Sequence, residues 1–258
     1  MLYTLITGAS KGIGKAFAYE CASRGMNLIL VARSEYLLHD IAKEISEKYG
    51  VNVYSHTGNL LDHAIHRKIF DWIKENGFHV NMLINNAGMG YYGKFEQQPL
   101  EKHLEVMHLN MDAQVKMAHE FLNATNPHQK RYLLNTVSTG AFQPVPYMAA
   151  YCASKAFMLS FSRALRFELR KQQVNVTALC PGGTETDFFA PANMDKVAEK
   201  NSLFMMKADR VAKEGLDGLL SNKAVVVPGW YNKVGAFAAR HAPQGLVVRQ
   251  SAAFFKPE

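Results

Sequence analysis

The chain has 258 residues, of which 48% are hydrophobic, so it can bury a sizeable core. Its formal net charge of +7 comes from Lys and Arg residues spread along the chain. That distribution disfavours a nucleic-acid partner and favours a basic, soluble surface. No run of about 18 apolar residues occurs, and the first residues enter a strand at once, so we expect neither a membrane span nor a secretory signal.

The cysteines and histidines predict neither disulfides nor a metal centre. Cys21, Cys152 and Cys180 form an odd, widely spaced set, which suits a reducing compartment, so we expect a cytoplasmic protein. No Cys or His group has the spacing of zinc ligands. His63 and His66 are interpreted as solvated helix positions.

The first 32 residues predict a strand–helix–strand unit. Residues 2–7 are apolar and β-branched, a glycine turn spans Gly8 to Gly14, a helix is expected at about 13–24, and a second strand at 27–32. Such glycines let the backbone approach a pyrophosphate at the helix N-terminus. A plain connection is the alternative, but the position after a first strand favours a nucleotide site.

The residues after the second strand indicate which nucleotide binds. An NAD site usually carries an acidic residue there, to accept from the ribose 2′-hydroxyl. This chain has Arg33 and Ser34 instead, and Lys11 in the glycine turn adds a positive charge. Glu35 comes two positions after Arg33, too late to reverse this preference. Because Arg33 can fork onto a 2′-phosphate, we expect NADP(H).

Strands and helices continue to alternate along the chain. This pattern predicts one doubly wound parallel α/β sheet of the Rossmann type, with helices on both faces, in a single domain spanning 1–258. Ligands of such sheets bind beyond the carboxyl ends of the strands. Further strands are expected at 51–57, 80–84, 131–137, 174–179 and 224–227, and helices at 62–75, 99–124, 149–171 and 208–220.

Three residues near the middle of the chain predict proton-transfer chemistry. Tyr151 and Lys155 are four residues apart on an expected helix and therefore share a face. A free tyrosine has a pKa of about 10, and a nearby ammonium lowers it, so Lys155 is expected to bring Tyr151 towards its working range. Ser138 could hold a substrate oxygen. In isolation, the Tyr–Lys spacing also fits an ordinary helix-surface pair.

Together these motifs resemble the short-chain dehydrogenase/reductase family, in the branch of about 250 residues, from Thr7 to about Val227. The residues that carry the resemblance are Thr7-Gly8-x-x-x-Gly12-x-Gly14, Asn85-Asn86-Ala87-Gly88, Asn110, Ser138, Tyr151-x-x-x-Lys155 and Pro181-Gly182. The Pro-Gly-x-Thr-x-Thr motif, together with Ala-Arg-Ser after the second strand, resembles the pattern of a subgroup that includes 3-oxoacyl reductases and many uncharacterised bacterial members.

The resemblance implies roles for these residues. Tyr151 would be the general acid/base, Lys155 would lower its pKa and hold the nicotinamide ribose, and Ser138 would orient the substrate carbonyl. Asn110 would anchor a water of a proton relay behind Lys155. Asn59 stands where many relatives carry Asp beside the adenine. The implied cofactor-binding residues are Gly8, Ser10, Lys11, Gly12, Ile13, Gly14, Arg33, Ser34, Asn59, Leu60, Asn86, Ala87, Gly88, Tyr151, Lys155, Pro181, Gly182, Thr184 and Thr186.

Apolar residues near the catalytic motif and in a variable segment at about 184–207 predict an apolar carbonyl substrate. Several of them could instead belong to the core. The stretch from 190 to 202 has no clear element pattern and is interpreted as a lid. The predicted substrate residues are Phe142, Val145, Tyr147, Phe188 and Met205.

The C-terminal extension, at about 231–258, mixes aromatic and basic residues. It is interpreted as a subunit interface or a pocket cover, because Pro243 and Gly245 are expected to break a long membrane-lying helix; membrane contact is the less favoured alternative. In the resembled family, the helix of Tyr151 and the long helix from Pro99 commonly form the dimer face. We therefore expect a homodimer or homotetramer, with Met107, Met111 and Phe161 as candidate contacts.

The sequence thus predicts an NADP(H)-dependent oxidoreductase that transfers hydride to the carbonyl of a small, apolar substrate. One alternative is an NAD-linked alcohol dehydrogenase. Two others are a non-catalytic nucleotide sensor on the same fold and a membrane-peripheral scaffold acting through the C-terminal extension.

Overall fold

A computed structural model of the chain describes residues 1–188, Ala192 and residues 205–256. Its main sheet is wholly parallel, in the order β3-β2-β1-β4-β5-β6-β9. This arrangement confirms the predicted doubly wound sheet. Its strands are β1 Leu2–Thr7, β2 Asn27–Ala32, β3 Val53–Thr57, β4 His79–Asn85, β5 Arg131–Thr136, β6 Val174–Leu179 and β9 Val225–Val226; β7 Thr184–Glu185 and β8 Met206–Lys207 pair separately.

Helices cover both faces of the sheet. In chain order, the first, second and seventh helices pack on one face of the sheet, whereas the third, fifth and sixth helices pack on the other face. They are α1 Gly12–Ser23, α2 Glu35–Tyr49, α3 Ile65–Glu75, α4 Leu100–Met107, α5 Ala113–Ala124, α6 Ala149–Glu168, α7 Ala208–Leu220, α8 Trp230–His241 and α9 Gln244–Phe254.

The central strands are buried on both sides, which explains their continuous apolar sequences. Successive side chains of a strand point to opposite faces. In β2, Leu28 and Leu30 therefore join the hydrophobic cluster under α1, whereas Ile29 and Val31 join the cluster under α3 and α5. All four side chains are fully buried, so a shift by one residue would exchange the contents of the two clusters.

Three helical segments differ from the sequence expectation. The sequence pattern does not predict helix α2, because its mixed polar residues follow the second strand without a strong helix start signal. The helix expected at 99–124 contains a π-helical turn, His108–Asp112, between α4 and α5. The C-terminal break falls at Ala242 and Pro243, whereas Gly245 lies inside α9.

Within the described part of the chain, we find no helix long and apolar enough to cross a membrane. The three cysteines are free and buried.

Candidate active site

A cleft of about 1900 Å³ runs along the carboxyl ends of the central strands. Its walls come from the ends of β1, β2, β4, β5 and β6, which is where a parallel sheet of this type binds ligands. Of the predicted cofactor-binding residues, all except Gly14 line the cleft. Ser138 lines it as well, so segments separated by more than a hundred residues meet at one surface.

The glycine turn is built for close backbone approach. Gly8 and Gly12 have φ values of +66° and +53°, a region that costs other residues conformational energy. Gly14 does not face the cleft: a Cβ there would lie 2.1 Å from the carbonyl oxygen of Gly8. Gly14 therefore lets the first turn of α1 pack directly on the loop that precedes it.

Asn86 and Thr7 lock this turn to the neighbouring strand. The Thr7 hydroxyl accepts from the backbone N–H groups of Asn86, at 3.0 Å, and Ala87, at 3.1 Å. In return, the Asn86 amide donates to the Thr7 carbonyl at 3.1 Å. These bonds tie the ends of β1 and β4 into one rigid floor.

On the predicted adenosine side, Arg33 is exposed and lines the cleft beside Ser34. Glu35 faces a separate surface groove formed with Tyr36. Asn59 lines the cleft, and its side-chain oxygen accepts from the N–H of Leu61 at 3.2 Å. Part of the acceptor capacity of Asn59 is therefore used to shape its own turn.

The mouth of the cleft is bridged by an ion pair. The Lys11 ammonium lies 3.5 Å from the carboxylate of Asp187, and both side chains are largely exposed. Thr186 lies directly over Gly12, since a Cβ on Gly12 would be 3.0 Å from the Thr186 methyl. Lys11 thus has a carboxylate partner, whereas Arg33 has no ion-pair partner among the described residues.

Ser138, Tyr151 and Lys155 meet at the other end of the cleft. Ser138 follows β5, and the other two share the first turns of α6. Ser138 and Tyr151 both line the cleft, and the Ser138 hydroxyl is near enough to Tyr151 to act on its pKa. The Lys155 ammonium lies 5.8 Å from the centre of the Tyr151 ring and donates to the carbonyl of Thr136 at 2.9 Å. The predicted constellation is therefore brought together.

The protonation of this group differs from the sequence expectation. Burial raises the pKa of Tyr151 above that of a free phenol, while the Ser138 hydroxyl lowers it in part. Burial also lowers the pKa of Lys155 to about 8. The Tyr151 pKa is therefore raised, contrary to the expected lowering by Lys155, because desolvation by burial is the largest effect on the phenol and Lys155 is not among the groups that shift it. The raised pKa favours the protonated phenol of Tyr151 at neutral pH.

Asn110 lies behind this group, in the π-helical turn, and is fully buried. Its amide donates to the carbonyl of Met89 at 2.8 Å and to the hydroxyl of Ser154 at 3.0 Å. Its side-chain oxygen accepts from the N–H of Met89 at 2.9 Å. Both amide hydrogens are thus already used, so the side chain positions the backbone next to Gly88 rather than lining the cleft.

The predicted substrate residues divide into two groups. Val145, Phe188 and Met205 line the cleft, and the Phe188 ring lies 5.6 Å from that of Tyr151. Phe142 instead packs in the cluster behind β5 and β6, and Tyr147, at a φ of +68°, packs on Tyr92. Neither of these two residues lines the cleft in this structure. The expected lid at 190–202 lies, apart from Ala192, outside the described residues.

The C-terminal helices supply cleft residues that had not been singled out as site residues. Tyr231 and Asn232 of α8, Phe254 at the end of α9 and the following Phe255 all line the cleft. The Tyr92 hydroxyl donates to the carbonyl of Phe255 at 2.7 Å, across 163 residues of sequence. The aromatic content of this extension was the available signal, and its interpretation as a pocket cover agrees with these contacts.

The expectation for the histidines needs a correction as well. His66 is 2% exposed rather than solvated. Nearby, one nitrogen each of His63 and His108 and an oxygen of Asp112 lie within 4.8 Å of one another. The Lys116 ammonium contacts His63 at 3.2 Å and Asp112 at 2.8 Å, so a cation of the chain itself already neutralises this cluster.

The residues present fit a dinucleotide. The cleft is open and long, and glycines keep its floor free of side chains where a phosphate would approach the N-terminus of α1. The polar side chains of Ser138, Tyr151 and Lys155 stand at its far end, next to an apolar wall.

Comparisons with known proteins agree with this geometry. A family profile described as short chain dehydrogenase matches residues 3–197. A short-chain dehydrogenase from Sphingobium yanoikuyae, solved in complex with NADPH, is 30% identical, with a TM-score of 0.82 and 95% of both chains covered.

Two curated relatives are similar over most of this chain. Inactive hydroxysteroid dehydrogenase-like protein 1 of Homo sapiens is 34% identical over 195 residues, which are 74% of this chain and 58% of the human protein. Very-long-chain 3-oxoacyl-CoA reductase of Anas platyrhynchos is 32% identical over 203 residues, which are 76% of this chain and 62% of the duck protein. The chain thus spans less than two thirds of either relative.

The family match covers most of the chain and includes the glycine turn and the Ser138, Tyr151 and Lys155 group. With the parallel sheet and the shared cleft, it shows that the chain belongs to the short-chain dehydrogenase family of oxidoreductases.

Proposed function

We propose that this protein reduces the carbonyl group of an apolar ketone, with NADPH as hydride donor. A single domain would both bind the cofactor and carry the catalytic residues. The observation that carries the proposal is the meeting of Ser138, Tyr151 and Lys155 at the end of a cleft whose other end is the glycine turn. Nucleotide and substrate would therefore share one continuous surface.

The chain's own residues would control the proton. When bound, NADPH supplies a hydride to the carbonyl carbon. Ser138 orients the carbonyl oxygen by donating a hydrogen bond, and Tyr151, held as a phenol by burial, transfers its proton to that oxygen. The Lys155 ammonium stabilises the resulting phenolate. Because the site is buried, this electrostatic attraction is stronger than it would be in water.

Several contacts support NADPH over NADH. Arg33 is exposed at the cleft and has no ion-pair partner among the described residues, while Glu35 faces away into another groove. A guanidinium there would bind a 2′-phosphate bidentately. The 30% identical Sphingobium structure was solved with NADPH.

The substrate wall supports an apolar carbonyl compound. Val145, Phe188 and Met205 line the cleft beside Tyr151, and Phe254 and Phe255 close it from the C-terminal side. The relatives are named for hydroxysteroids and for very-long-chain 3-oxoacyl thioesters, which are both large apolar carbonyl or alcohol compounds.

We further propose that the chain forms a homodimer through α4 and α6. Leu104 and Met107 of α4 and Phe157 of α6 are exposed large apolar residues, a composition typical of oligomer interfaces.

The first test measures NADPH and NADH binding side by side and then NADPH oxidation with ketones, quinones and 3-oxoacyl thioesters. Tight NADPH binding with turnover of one class supports the proposal. Tyr151→Phe keeps the ring but removes the proton, so we expect it to abolish turnover, by a factor of roughly 1000, while NADPH still binds. Near-normal turnover in that variant would contradict the mechanism.

The human relative named inactive raises a second candidate, a nucleotide sensor on the same fold. It predicts tight NADPH binding in the wild type, no turnover of any carbonyl class, and no difference between wild type and Tyr151→Phe. An NAD-linked alcohol dehydrogenase would instead bind NADH more tightly and oxidise alcohols.

A further inference from the structure

We propose that the outer face of helix α8 docks on the surface of an anionic lipid bilayer. Trp230, Val234 and Phe237 are 74%, 61% and 66% exposed. They are spaced i, i+4 and i+7, so they form one stripe along the helix. Large apolar side chains exposed singly are common, but an ordered stripe of them marks an interaction surface.

The stripe is not the result of a loosely packed helix. On the opposite side, Ala236 and Ala239 are buried, and Tyr231 and Asn232 line the cleft. The Asn232 amide also donates to the carbonyl of Pro228 at 2.8 Å. The inner face thus fixes the helix and leaves the apolar stripe turned to solvent.

The charge around the stripe is of one sign. Residues 230–256 contain Lys233, Arg240, Arg249 and Lys256 and no Asp or Glu. Lys233 and Arg240 are seven residues apart and run along one flank of the stripe. An apolar stripe beside cationic side chains is the pattern of helices that lie in the headgroup region of anionic lipids.

The same charge pattern disfavours a second copy of the chain as the occupant. In a two-fold symmetric contact each surface patch meets itself. Lys233 and Arg240 would then approach the same residues of the other copy without any acidic partner from this segment, which like charges oppose. An anionic surface has no such penalty.

Docking of this kind would be peripheral, and it would place the cleft next to the lipid. The docking face and the cleft-lining residues Tyr231 and Asn232 lie on the same helix. An apolar substrate dissolved in the bilayer would then have a short path to the cleft. This consequence depends on the proposed function, whereas the binding of lipid does not.

The test uses full-length protein and vesicles of phosphatidylcholine with or without phosphatidylglycerol. We expect co-sedimentation with the anionic vesicles only, weakened by added salt. Phe237→Asp should reduce the bound fraction at least tenfold. Phe167→Asp is the matched control, because Phe167 is 65% exposed on another helix, and it should bind like the wild type. Equal loss in both variants, or equal binding by both, overturns the proposal.

Tryptophan emission gives a second readout of lipid contact that does not depend on a variant with weakened vesicle binding. The chain has two tryptophans, Trp72 and Trp230, so Trp72→Phe leaves Trp230 as the sole reporter. Anionic vesicles should shift its emission to shorter wavelength. Unchanged emission overturns the proposal. The proposal is also overturned if the wild type does not bind vesicles but forms a dimer that Phe237→Asp dissociates, because the stripe would then be a contact between copies of the chain. NADPH turnover is measured in the same samples, so failure of lipid docking and failure of the proposed enzyme activity are distinguished.

Discussion

The two ends of the cleft are built in different ways. The end at the glycine turn is made of short contiguous motifs, residues 7–14 and 85–88, joined by hydrogen bonds between Thr7 and Asn86. The other end, where we propose that the substrate binds, collects single side chains from distant segments, such as Val145, Phe188 and Phe255. Backbone geometry determines the first end, and side-chain packing determines the second. The first should therefore be sensitive to single atoms, and the second should be adjustable.

The largest expected effect on both stability and nucleotide binding comes from Gly14→Ala. The added Cβ would meet the carbonyl oxygen of Gly8 at 2.1 Å, and backbone cannot move aside without displacing the turn. We expect a loss of about 2 kcal/mol in the free energy of unfolding and roughly 100-fold weaker NADPH binding. Thermal unfolding and nucleotide titration measure both.

Gly235→Ala is the matched control for this variant. A Cβ at Gly235 meets nothing within 4 Å, and the residue lies inside helix α8, so we expect stability to rise by about 0.5–1 kcal/mol with NADPH binding unchanged. Equal nucleotide affinity in the two variants would show that the cofactor end is less rigid than its contacts imply.

The next effect concerns pH. Because burial lowers the pKa of Lys155 to about 8, the ammonium is present below that pH and is lost above it. Burial raises the pKa of Tyr151, so the phenol stays protonated through the same range. The rate of ketone reduction should therefore fall as pH rises through about 8, approaching tenfold per pH unit.

A Lys155→Arg variant separates this titration from other causes. Arginine stays charged throughout this range, so the residual rate of the variant should not fall near pH 8. Steady-state rates at saturating NADPH, measured from about pH 6 to about pH 10, test the prediction. A wild-type profile that stays flat in this range would show that Lys155 keeps its proton.

Arg33→Glu should act on the cofactor end alone. Reversing the charge removes a charge-assisted contact of about 1.5–3 kcal/mol, so NADPH should bind roughly 100-fold more weakly while NADH changes little. Arg67→Glu is the control, because the Arg67 side chain is 80% exposed and pairs with Asp71 on the surface of α3. If both nucleotides weaken equally with Arg33→Glu, the 2′-phosphate assignment is wrong.

The same contrast explains how much the sequence could predict. The parallel sheet was predictable from the alternation of strand and helix patterns along the chain, and the glycine turn was predictable because it depends on residues adjacent in sequence. Tyr151 and Lys155 were also predictable, since their spacing on one helix brings them together. What one turn of backbone determines can be inferred from the local pattern.

The remaining features depend on burial and long-range contacts, which local patterns do not contain. The pKa direction of Tyr151 was wrong, because spacing indicates a nearby ammonium but not how fully the phenol is desolvated. His66 was expected to be solvated and is buried under neighbouring elements. Phe142 was expected in the pocket, but the 3₁₀ turn Thr139–Phe142 directs it into a cluster behind the sheet.

The smallest expected effect tests the adjustable end. Tyr92→Phe removes the hydroxyl that donates to the carbonyl of Phe255, a bond of about 1 kcal/mol. The C-terminal cover should loosen, and KM for an apolar ketone should rise roughly fivefold, with NADPH affinity unchanged. Steady-state kinetics with the ketone varied at saturating NADPH measure it.

A chain ending at Ala253 provides the control for this variant, because it lacks the acceptor of the hydrogen bond. In that background Tyr92→Phe should raise KM less than it does in the full chain, since both changes remove the hydrogen bond to Phe255 and their effects on that bond do not add. An additive effect would mean that Tyr92 acts on the ketone by another route. If Tyr92→Phe weakens NADPH binding as much as it raises KM for the ketone, the two ends of the cleft are coupled. The two ends would then not bind their ligands independently, although they are built from different parts of the chain.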